Sequence, residues 1–157
     1  MLMKAHYKHA IILALLIGVF WGCSQVEPGK KVFERRNLQN IYVQDGDLSQ
    51  LDLKRTDLSG SFVKGVNFKN TNLEESNMSK VNFQGANLQG ANLKRSNLSY
   101  ADFYNANLQN ANLEGADVAG ANFRNAIVSG ANFQNVTGMT ESTKSLLIQG
   151  GATVSAF

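Results

Sequence analysis

One five-residue pattern repeats without interruption over most of this chain. From residue 36 to residue 135 the sequence divides into twenty consecutive pentads, with no insertion or deletion. All twenty third positions are Leu, Phe, Val or Met, and seventeen of the twenty second positions are Asn or Asp. First positions are mostly small, and nine of the last ten are Ala. A register this strict predicts a repeat architecture with one continuous core.

The five-residue period excludes a continuous helix or strand. A helix advances about 500° in five residues and a strand about 900°, so neither keeps the third residue facing one way. The first and third positions are two apart and therefore share one face of a short extended segment. A corner must follow each segment, and the Gly, Asn or Asp at many fifth positions suits such corners. The pattern therefore predicts a stacked coil that turns every five residues.

The pentads also carry a known motif. The run from Ala86 to Leu93, Ala-Asn-Leu-Gln-Gly followed by Ala-Asn-Leu, resembles the A-(N/D)-L-x-x motif of the pentapeptide-repeat family, and the resemblance covers residues 36–135. It implies an all-β solenoid, a right-handed quadrilateral β-helix with one pentad per side and the first and third positions inward. Five coils are expected on this basis.

Four sides would place residues twenty apart on top of one another, and the sequence shows that spacing. Phe83, Phe103 and Phe123 fall in one predicted interior column. Outward charges alternate in sign at the same interval and predict two salt ladders, Lys54, Glu74, Lys94 and Glu114 beside Arg55, Glu75 and Arg95. Asparagines at this interval predict amide ladders of the kind that reinforce stacked β structure, Asn72, Asn92, Asn112 and Asn132 with Asn67, Asn87 and Asn107.

Residues 136–157 are expected to form a C-terminal cap, because an uncovered terminal coil exposes core and unpaired backbone. The last pentad ends at residue 135, and beyond Gly138 Thr140 is a suitable N-cap for a short helix through Gln149. The apolar residues expected to face the last coil are Met139, Leu146 and Leu147. At the other end Phe33 is in register with the third positions and is expected to cover the first coil. A homodimer through the cap is an alternative use of the same surface.

Residues 1–22 have the features of an export signal. Two lysines precede Ala10–Trp21, an unbroken run of twelve apolar residues. A transmembrane helix is the alternative, but a bilayer-spanning helix needs about 20 residues. The segment resembles the signal of bacterial lipoproteins, in which a small residue precedes a cysteine that receives diacylglycerol. Gly22 and Cys23 match that pattern, whereas Phe20-Trp21 departs from it.

The resemblance implies that Cys23 is the lipid-attachment site, with fatty acyl chains such as palmitate. Cys23 is the only cysteine, so no disulfide can form within one chain. Residues 23–35 contain Pro28 and Gly29 and show no sustained period, which suits a lipidated tether. Ser24 after the cysteine resembles a lipoprotein sorted to the outer membrane. The predicted location is therefore the bacterial envelope, on the periplasmic face of that membrane.

The sequence offers little support for catalysis. Both histidines, His6 and His9, fall in the predicted signal, and no nucleophile and base pair stands out in the repeat. No metal site or cofactor is predicted, because neither calcium-loop spacing nor a Gly-rich phosphate loop is present. Some relatives mimic DNA and protect topoisomerases, but mimicry requires a strongly acidic shaft. Residues 37–135 carry eight basic and nine acidic residues, so that alternative is disfavoured and no nucleic-acid partner is expected.

Outward aromatic residues are the candidate partner-binding site. On the twenty-residue lattice Tyr42, Phe62, Tyr100 and Tyr104 fall on one side, and the charge ladders fall on the opposite side. One interpretation is local cover, with cation–π contacts such as Tyr104 to Arg124. The other is a recognition strip for a protein or an envelope glycan, because Tyr and Arg are enriched at binding hot spots. The sequence as a whole predicts an envelope-anchored structural or protein-interaction module.

Overall fold

A computed structural model describes residues 35–155 of the chain as a stack of four-sided coils. The second residue of each pentad, from Asn37 to Asp117, forms a parallel bridge with the residue twenty positions later. These bridges begin with Asn37 to Asp57 and end with Asp117 to Thr137. Each turn therefore uses twenty residues, one pentad on each of four sides. The predicted twenty-residue lattice is confirmed over this range.

Backbone hydrogen bonds explain why five residues form one side. The second and third residues of a pentad pair in opposite directions along the stack: Asn92 N–H donates to the Thr71 carbonyl at 3.0 Å, and Leu93 N–H donates to the Asn112 carbonyl at 2.7 Å. Each corner is a tight turn, closed for example by Ala91 N–H donating to the Leu88 carbonyl at 3.0 Å. The extended segment thus holds the neighbouring coils, and the turn redirects the chain.

Every fifth residue from Asn40 to Asn135 has a positive φ, between 51° and 70°. The prediction that corners need unusual backbone angles is confirmed. Gly accepts this left-handed region freely, whereas other L-residues pay roughly 1–2 kcal/mol. Several corners nevertheless hold long side chains, such as Lys80 at φ 59°.

Replacement of Lys80 by Gly is expected to stabilise the fold, by up to about 1 kcal/mol, because relief of the left-handed strain exceeds the added chain entropy of Gly. The matched control is Lys69→Gly, one residue before a corner, where the exposed Lys has no positive φ and Gly should destabilise. Urea unfolding of both variants measures the two signs. Destabilisation of similar size in both would contradict this account of the corners.

The core is one continuous cluster, formed by stacked columns of first and third residues, as predicted. The rings of Phe83, Phe103 and Phe123 stack at centroid distances of 5.0 Å with interplanar angles of 5° and 4°. A second buried column contains Leu53, Leu73, Leu93 and Leu113. In the first half of the shaft, buried Ser and Thr at first positions donate to main-chain carbonyls, as Thr71 Oγ1 does to the Leu48 carbonyl at 2.7 Å. These hydroxyls are therefore compatible with burial.

Three short elements complete the described chain: β1 (Asn132–Phe133), α1 (Glu141–Gln149) and β2 (Thr153–Val154). The predicted helix is confirmed, with Thr140 as its N-cap accepting from Thr143 N–H at 3.2 Å. Leu147 is buried and Met139 half-buried, as expected. The expectation for Leu146 is wrong, because this side chain remains 36% exposed at the edge of a groove.

The sequence pattern also missed β2. Thr153 and Val154 pair in parallel with Asn132 and Phe133, so the chain returns after α1 to add a further rung to that side. The offset between the paired residues is twenty-one, and the five-residue pattern does not continue into Thr153 and Val154. The predicted signal 1–22, Cys23, Phe33 and the tether up to residue 34 lie outside the described residues.

Candidate partner-binding surface

Tyr42 and Phe62 replace the usual Asn or Asp at second positions of one side, and the structure brings them together. Their rings stack with centroids 4.8 Å apart and an interplanar angle of 1°. This matches the spacing of neighbouring strands, so the rings continue the stack outside the core. Tyr42 is 67% exposed, and its hydroxyl donates to Gln44 Oε1 at 3.2 Å. We call the side formed by pentads 41–45, 61–65, 81–85, 101–105 and 121–125 the aromatic face.

Tyr104 lies on the aromatic face and Tyr100 at its adjoining corner, but both are distant from the Tyr42 and Phe62 pair. Two coils separate Phe62 from Tyr104, about 10 Å along the stack at the usual strand spacing. Tyr100 is 66% exposed, and its ring covers Gly120 on the next coil so closely that a Cβ there would collide with it. The four residues therefore share one side as two separate groups.

The structure does not show the cation–π contact between Tyr104 and Arg124 that one interpretation of the sequence expected. The ring contacts of residues 35–155 do not include Tyr104 with Arg124, although the two are in register. Tyr104 is 38% exposed, and its N–H donates to Asp102 Oδ1 at 3.0 Å. Its ring is thus available to solvent on the aromatic face.

The opposite side, pentads 51–55, 71–75, 91–95, 111–115 and 131–135, is the charge-ladder face. Its predicted ion pairs form. Lys54 Nζ lies 3.3 Å from Glu74 Oε2, and Lys94 Nζ lies 3.0 Å from Glu114 Oε2. Glu75 joins two arginines, at 2.6 Å from Arg55 Nε and 3.5 Å from Arg95 Nη1. Exposed pairs of this kind contribute roughly 0–1 kcal/mol each, and they neutralise one another on this face.

The second-position amides have two structural roles, only one of which the sequence analysis predicted. The amide ladders are confirmed in part: Asn92 Nδ2 donates to Asn72 Oδ1 at 3.1 Å and Asn132 Nδ2 to Asn112 Oδ1 at 3.3 Å, but no side-chain hydrogen bond joins Asn112 to Asn92. In addition, the same Oδ1 accepts the N–H of the residue two positions later, as Asn92 accepts from Lys94 at 3.2 Å. An Asn or Asp three residues before a corner is the signal that could have predicted this second bond.

Asp57 shows how an acid fits into these ladders. It stacks on Asn37 and cannot donate to it when ionised; instead Gln39 Nε2 donates to Asp57 Oδ2 at 2.7 Å. Burial tends to raise the pKa of Asp57, but hydrogen bonds from the Ser59 backbone and side chain, Gln39 and Asn77 together lower this pKa below its ordinary value. The hydrogen bond from Arg55 likewise lowers the pKa of Glu75.

The fold should therefore lose stability in acid. A carboxyl whose pKa is lower in the folded than in the unfolded chain contributes stability above its unfolded pKa and loses it as the pH falls through the folded pKa. We expect the thermal midpoint to be flat above about pH 5 and to fall below about pH 4. In Asp57→Asn this fall should be smaller. An identical pH profile for the variant and the natural chain would show that Asp57 contributes nothing to it.

Within residues 35–155, no three His, Cys, Asp or Glu side chains group in a way that could hold a metal ion. The same range contains no helix long and apolar enough to cross a bilayer.

The repeat pattern and the comparison with solved structures both indicate the same protein family. A family model for pentapeptide repeats matches the chain in overlapping segments at residues 37–74, 64–99, 76–115 and 101–137. A pentapeptide-repeat protein from the thylakoid lumen of Arabidopsis thaliana is similar, with 30% identity, a TM-score of 0.64 and coverage of 73% of this chain and 75% of that one.

A second similar structure is HetL of the cyanobacterium Nostoc, a pentapeptide-repeat protein involved in the regulation of heterocyst differentiation. Its identity is 25% and its TM-score 0.50, over 69% of this chain and 65% of that one, so the match spans just under two thirds of HetL. No curated protein sequence matches this chain. Proteins with these repeats fold as right-handed quadrilateral β-helices. The continuous repeat, its twenty-residue ladders and these matches together show that the chain belongs to the pentapeptide-repeat family.

Proposed function

We propose that this protein acts by binding, as a non-catalytic interaction module tethered to the bacterial envelope. The observation that carries the proposal is the contrast between its two opposite faces. Exposed rings lie along the aromatic face, whereas the charges of the opposite face are paired with one another. Exposed apolar surface on a soluble protein often marks an interface. The aromatic face, with the adjoining corner at Tyr100, is therefore the proposed partner-binding surface, formed by Tyr42, Phe62, Tyr100 and Tyr104.

The partner that fits this surface best is a protein. Sugars recognise aromatic residues by lying on an open ring face, but Tyr42 and Phe62 cover each other's facing sides. Tyr100 likewise has Gly120 against its ring. Besides the open ring of Tyr104, these residues offer mainly ring edges and the Tyr42 hydroxyl, and tyrosines supply contact area at low entropic cost in protein interfaces. An envelope glycan is the alternative partner that the test must separate.

The test replaces Tyr42, Phe62, Tyr100 and Tyr104 together by Ser. A control variant replaces Lys54, Glu74, Lys94 and Glu114 by Ser on the opposite face. After circular dichroism confirms that both variants fold, each is used to capture partners from envelope membranes, with and without prior glycan digestion. Loss of a bound protein in the aromatic variant alone supports the proposal. Retention of every partner by that variant contradicts it, and loss that follows glycan digestion indicates a glycan.

We further propose that Cys23 carries the lipid anchor, that residues 1–22 are removed as a signal and that residues 23–35 form the tether. In this arrangement residues 36–135 form five coils and residues 136–157 close them, on the periplasmic face of the outer membrane. Two or more acyl chains give stable anchoring, whereas one chain binds marginally. The DNA-mimic alternative gains no support, because the repeat carries nearly equal numbers of basic and acidic residues. A homodimer through the cap remains a prediction.

Replacement of Cys23 by Ser is expected to abolish labelling by a palmitate analogue and to move the protein from the membrane fraction to the soluble fraction. The thioether is the sole stable attachment in this proposal. Fractionation and acyl labelling in cells measure both effects, and Ser24→Ala is the control that leaves the cysteine in place. A variant that stays in membranes with an uncleaved N-terminus would indicate a signal anchor instead.

A further inference from the structure

The last coil of the aromatic face ends in an unpaired strand edge. One coil earlier, three main-chain groups pair with the following coil. The Ala101 carbonyl accepts from Asn122 N–H at 2.9 Å, and Phe103 N–H donates to the Asn122 carbonyl at 2.8 Å. The third bond runs from Asn105 N–H to the Arg124 carbonyl at 3.2 Å. The equivalent groups of the last coil are the Ala121 carbonyl and the N–H groups of Phe123 and Asn125. Within residues 35–155 none of these three has a hydrogen-bond partner.

On two other sides of the stack, chain segments outside the pentad pattern pair with the last coil. Thr137 N–H donates to the Ala116 carbonyl at 3.0 Å, and Thr153 N–H donates to the Ala131 carbonyl at 2.8 Å. On the remaining side Gly130 N–H donates to the Gly151 carbonyl at 2.9 Å, whereas the Ala126 carbonyl and Val128 N–H have no hydrogen-bond partner within residues 35–155. Thr153 belongs to β2, which shows that a short Thr-Val segment is enough to add a parallel rung over an Asn-Phe edge. The aromatic face presents the same Asn-Phe edge at Asn122 and Phe123 without such a segment.

A groove runs along this open edge. It has a volume of about 460 Å³ and lies between the last coil and helix α1, with walls formed by Ala121, Asn122, Phe123, Arg124, Ser142, Thr143 and Leu146. That volume is within the usual range of roughly 300–1,000 Å³ for ligand sites. The half-exposed Leu146 and two hydroxyl side chains line one wall, and the unpaired backbone lines the other. An extended peptide pairs with such an edge and fills such a groove.

We propose that this groove binds an extended segment of another protein, which adds a parallel strand to the last coil. The side-chain ladders of the stack indicate which residues the bound segment would carry. Asn122 Oδ1 already accepts from Arg124 N–H at 3.1 Å, and lower in the column Asp102 Oδ1 accepts an amide from Asn122 at 2.9 Å, so an Asn stacked on Asn122 continues the ladder. A Glu stacked on Arg124 repeats the pairing of Glu114 with Lys94. Val lies between them, as Val154 lies over Phe133.

A second copy of the chain fits this groove less well. A two-fold interface uses the same patch on both subunits, so each copy would bring its own α1 to a groove that α1 already walls on one side. Arg124 is exposed and makes no ion pair within residues 35–155. A two-fold pair would instead bring the Arg124 side chains of both copies to the same interface. The occupant that the observations favour is therefore a foreign, acidic, extended segment.

The test uses the purified chain and the blocked peptide Ala-Asn-Val-Glu, with binding followed by NMR and amide hydrogen exchange. We expect weak binding that slows exchange at Phe123 and Asn125. Methylation of the peptide Asn nitrogen should abolish binding, because that N–H would donate to the Ala121 carbonyl. Methylation of the Val nitrogen is the control, since in this register that N–H points away from the edge. Arg124→Glu should weaken binding by about three- to fivefold, the effect of one exposed ion pair, and a Lys in place of the peptide Glu should restore it.

Equal binding of the two methylated peptides, or absence of protection at Phe123 and Asn125, would overturn the proposal. So would sedimentation that shows a dimer whose Phe123 and Asn125 amides are already protected, because a second copy would then occupy the edge. The variant with Ser at the four aromatic positions should still bind the peptide. This result separates a failure of the groove from a failure of the proposed aromatic surface.

Discussion

Replacement of Phe103 by Ala is expected to lower the free energy of unfolding by about 3–5 kcal/mol, the range for loss of a buried aromatic ring. Phe103 is fully buried between Phe83 and Phe123, each 5.0 Å away between ring centroids. The cavity would lie inside a column whose backbone is held by hydrogen bonds from the coils on both sides, so the walls cannot collapse into it. Urea unfolding followed by circular dichroism measures the loss.

The matched control is the neighbouring residue, Tyr104→Ala. Its ring is on the outer surface of the same pentad and is 38% exposed, so its removal should cost well under half as much. The comparison holds the coil, the backbone and the residue size nearly constant. A similar loss for the two variants would mean that the inward and outward assignment of the pentad is wrong.

Replacement of Ala106 by Leu is expected to destabilise the fold by about 1–3 kcal/mol through overpacking. Ala106 is a fully buried first-position residue. The main chain of its side pairs with the next coil through Ile127 N–H, which donates to the Ala106 carbonyl at 2.9 Å. Three added carbons therefore have no space unless a whole side moves outward, which would break these bonds.

Gln109→Leu adds a similar apolar side chain to the same pentad at an outward position. It loses the hydrogen bond that Gln89 Nε2 donates to Gln109 Oε1 at 3.2 Å, which is a small term near the surface. Thermal unfolding of the two variants should therefore separate them clearly. If Ala106→Leu unfolds at the same temperature as Gln109→Leu, the narrow interior inferred for first positions does not exist.

Most of the fold follows from the sequence because the repeat leaves one physical solution. First and third residues share a face of a short strand, so the alternation of Ala and Leu or Phe defines the interior directly. The sign alternation of Lys54, Glu74, Lys94 and Glu114 then fixes the number of sides, since only a twenty-residue turn stacks opposite charges. The structure confirms both points in the buried columns and the ion pairs.

The end of the shaft could not be predicted in the same way. Beyond the last pentad no periodic pattern constrains the chain, and β2 pairs at an offset of twenty-one residues, which is not a multiple of five. Leu146 was expected to face the coil because it is apolar. Only its neighbour Leu147 is buried, since consecutive helix positions point about 100° apart.

The sequence predicts which side of the stack carries the four aromatic residues, but not how their rings are arranged. The twenty-residue lattice places all four aromatic residues on one side. It does not show that Tyr42 and Phe62 stack in contact, nor that Tyr100 folds against Gly120 on the next coil. Those details depend on side-chain rotamers and on the absence of a Cβ at one corner. The sequence pattern likewise does not reveal the open edge at Phe123, because the pentad 121–125 follows the same pattern as the pentads whose edges are paired.

The strict bridging of residues twenty apart also limits how the length of this protein can change. One residue inserted within a side would turn every later Asn or Asp toward the interior, because a one-residue shift exchanges the two faces of an extended segment. Five residues inserted between Phe103 and Phe123 would keep the faces but rotate all later pentads by one side, which separates these two rings. Twenty inserted residues would add one complete coil, about 4.8 Å of height, and leave every column intact. Length variants that keep this fold should therefore differ by multiples of twenty residues.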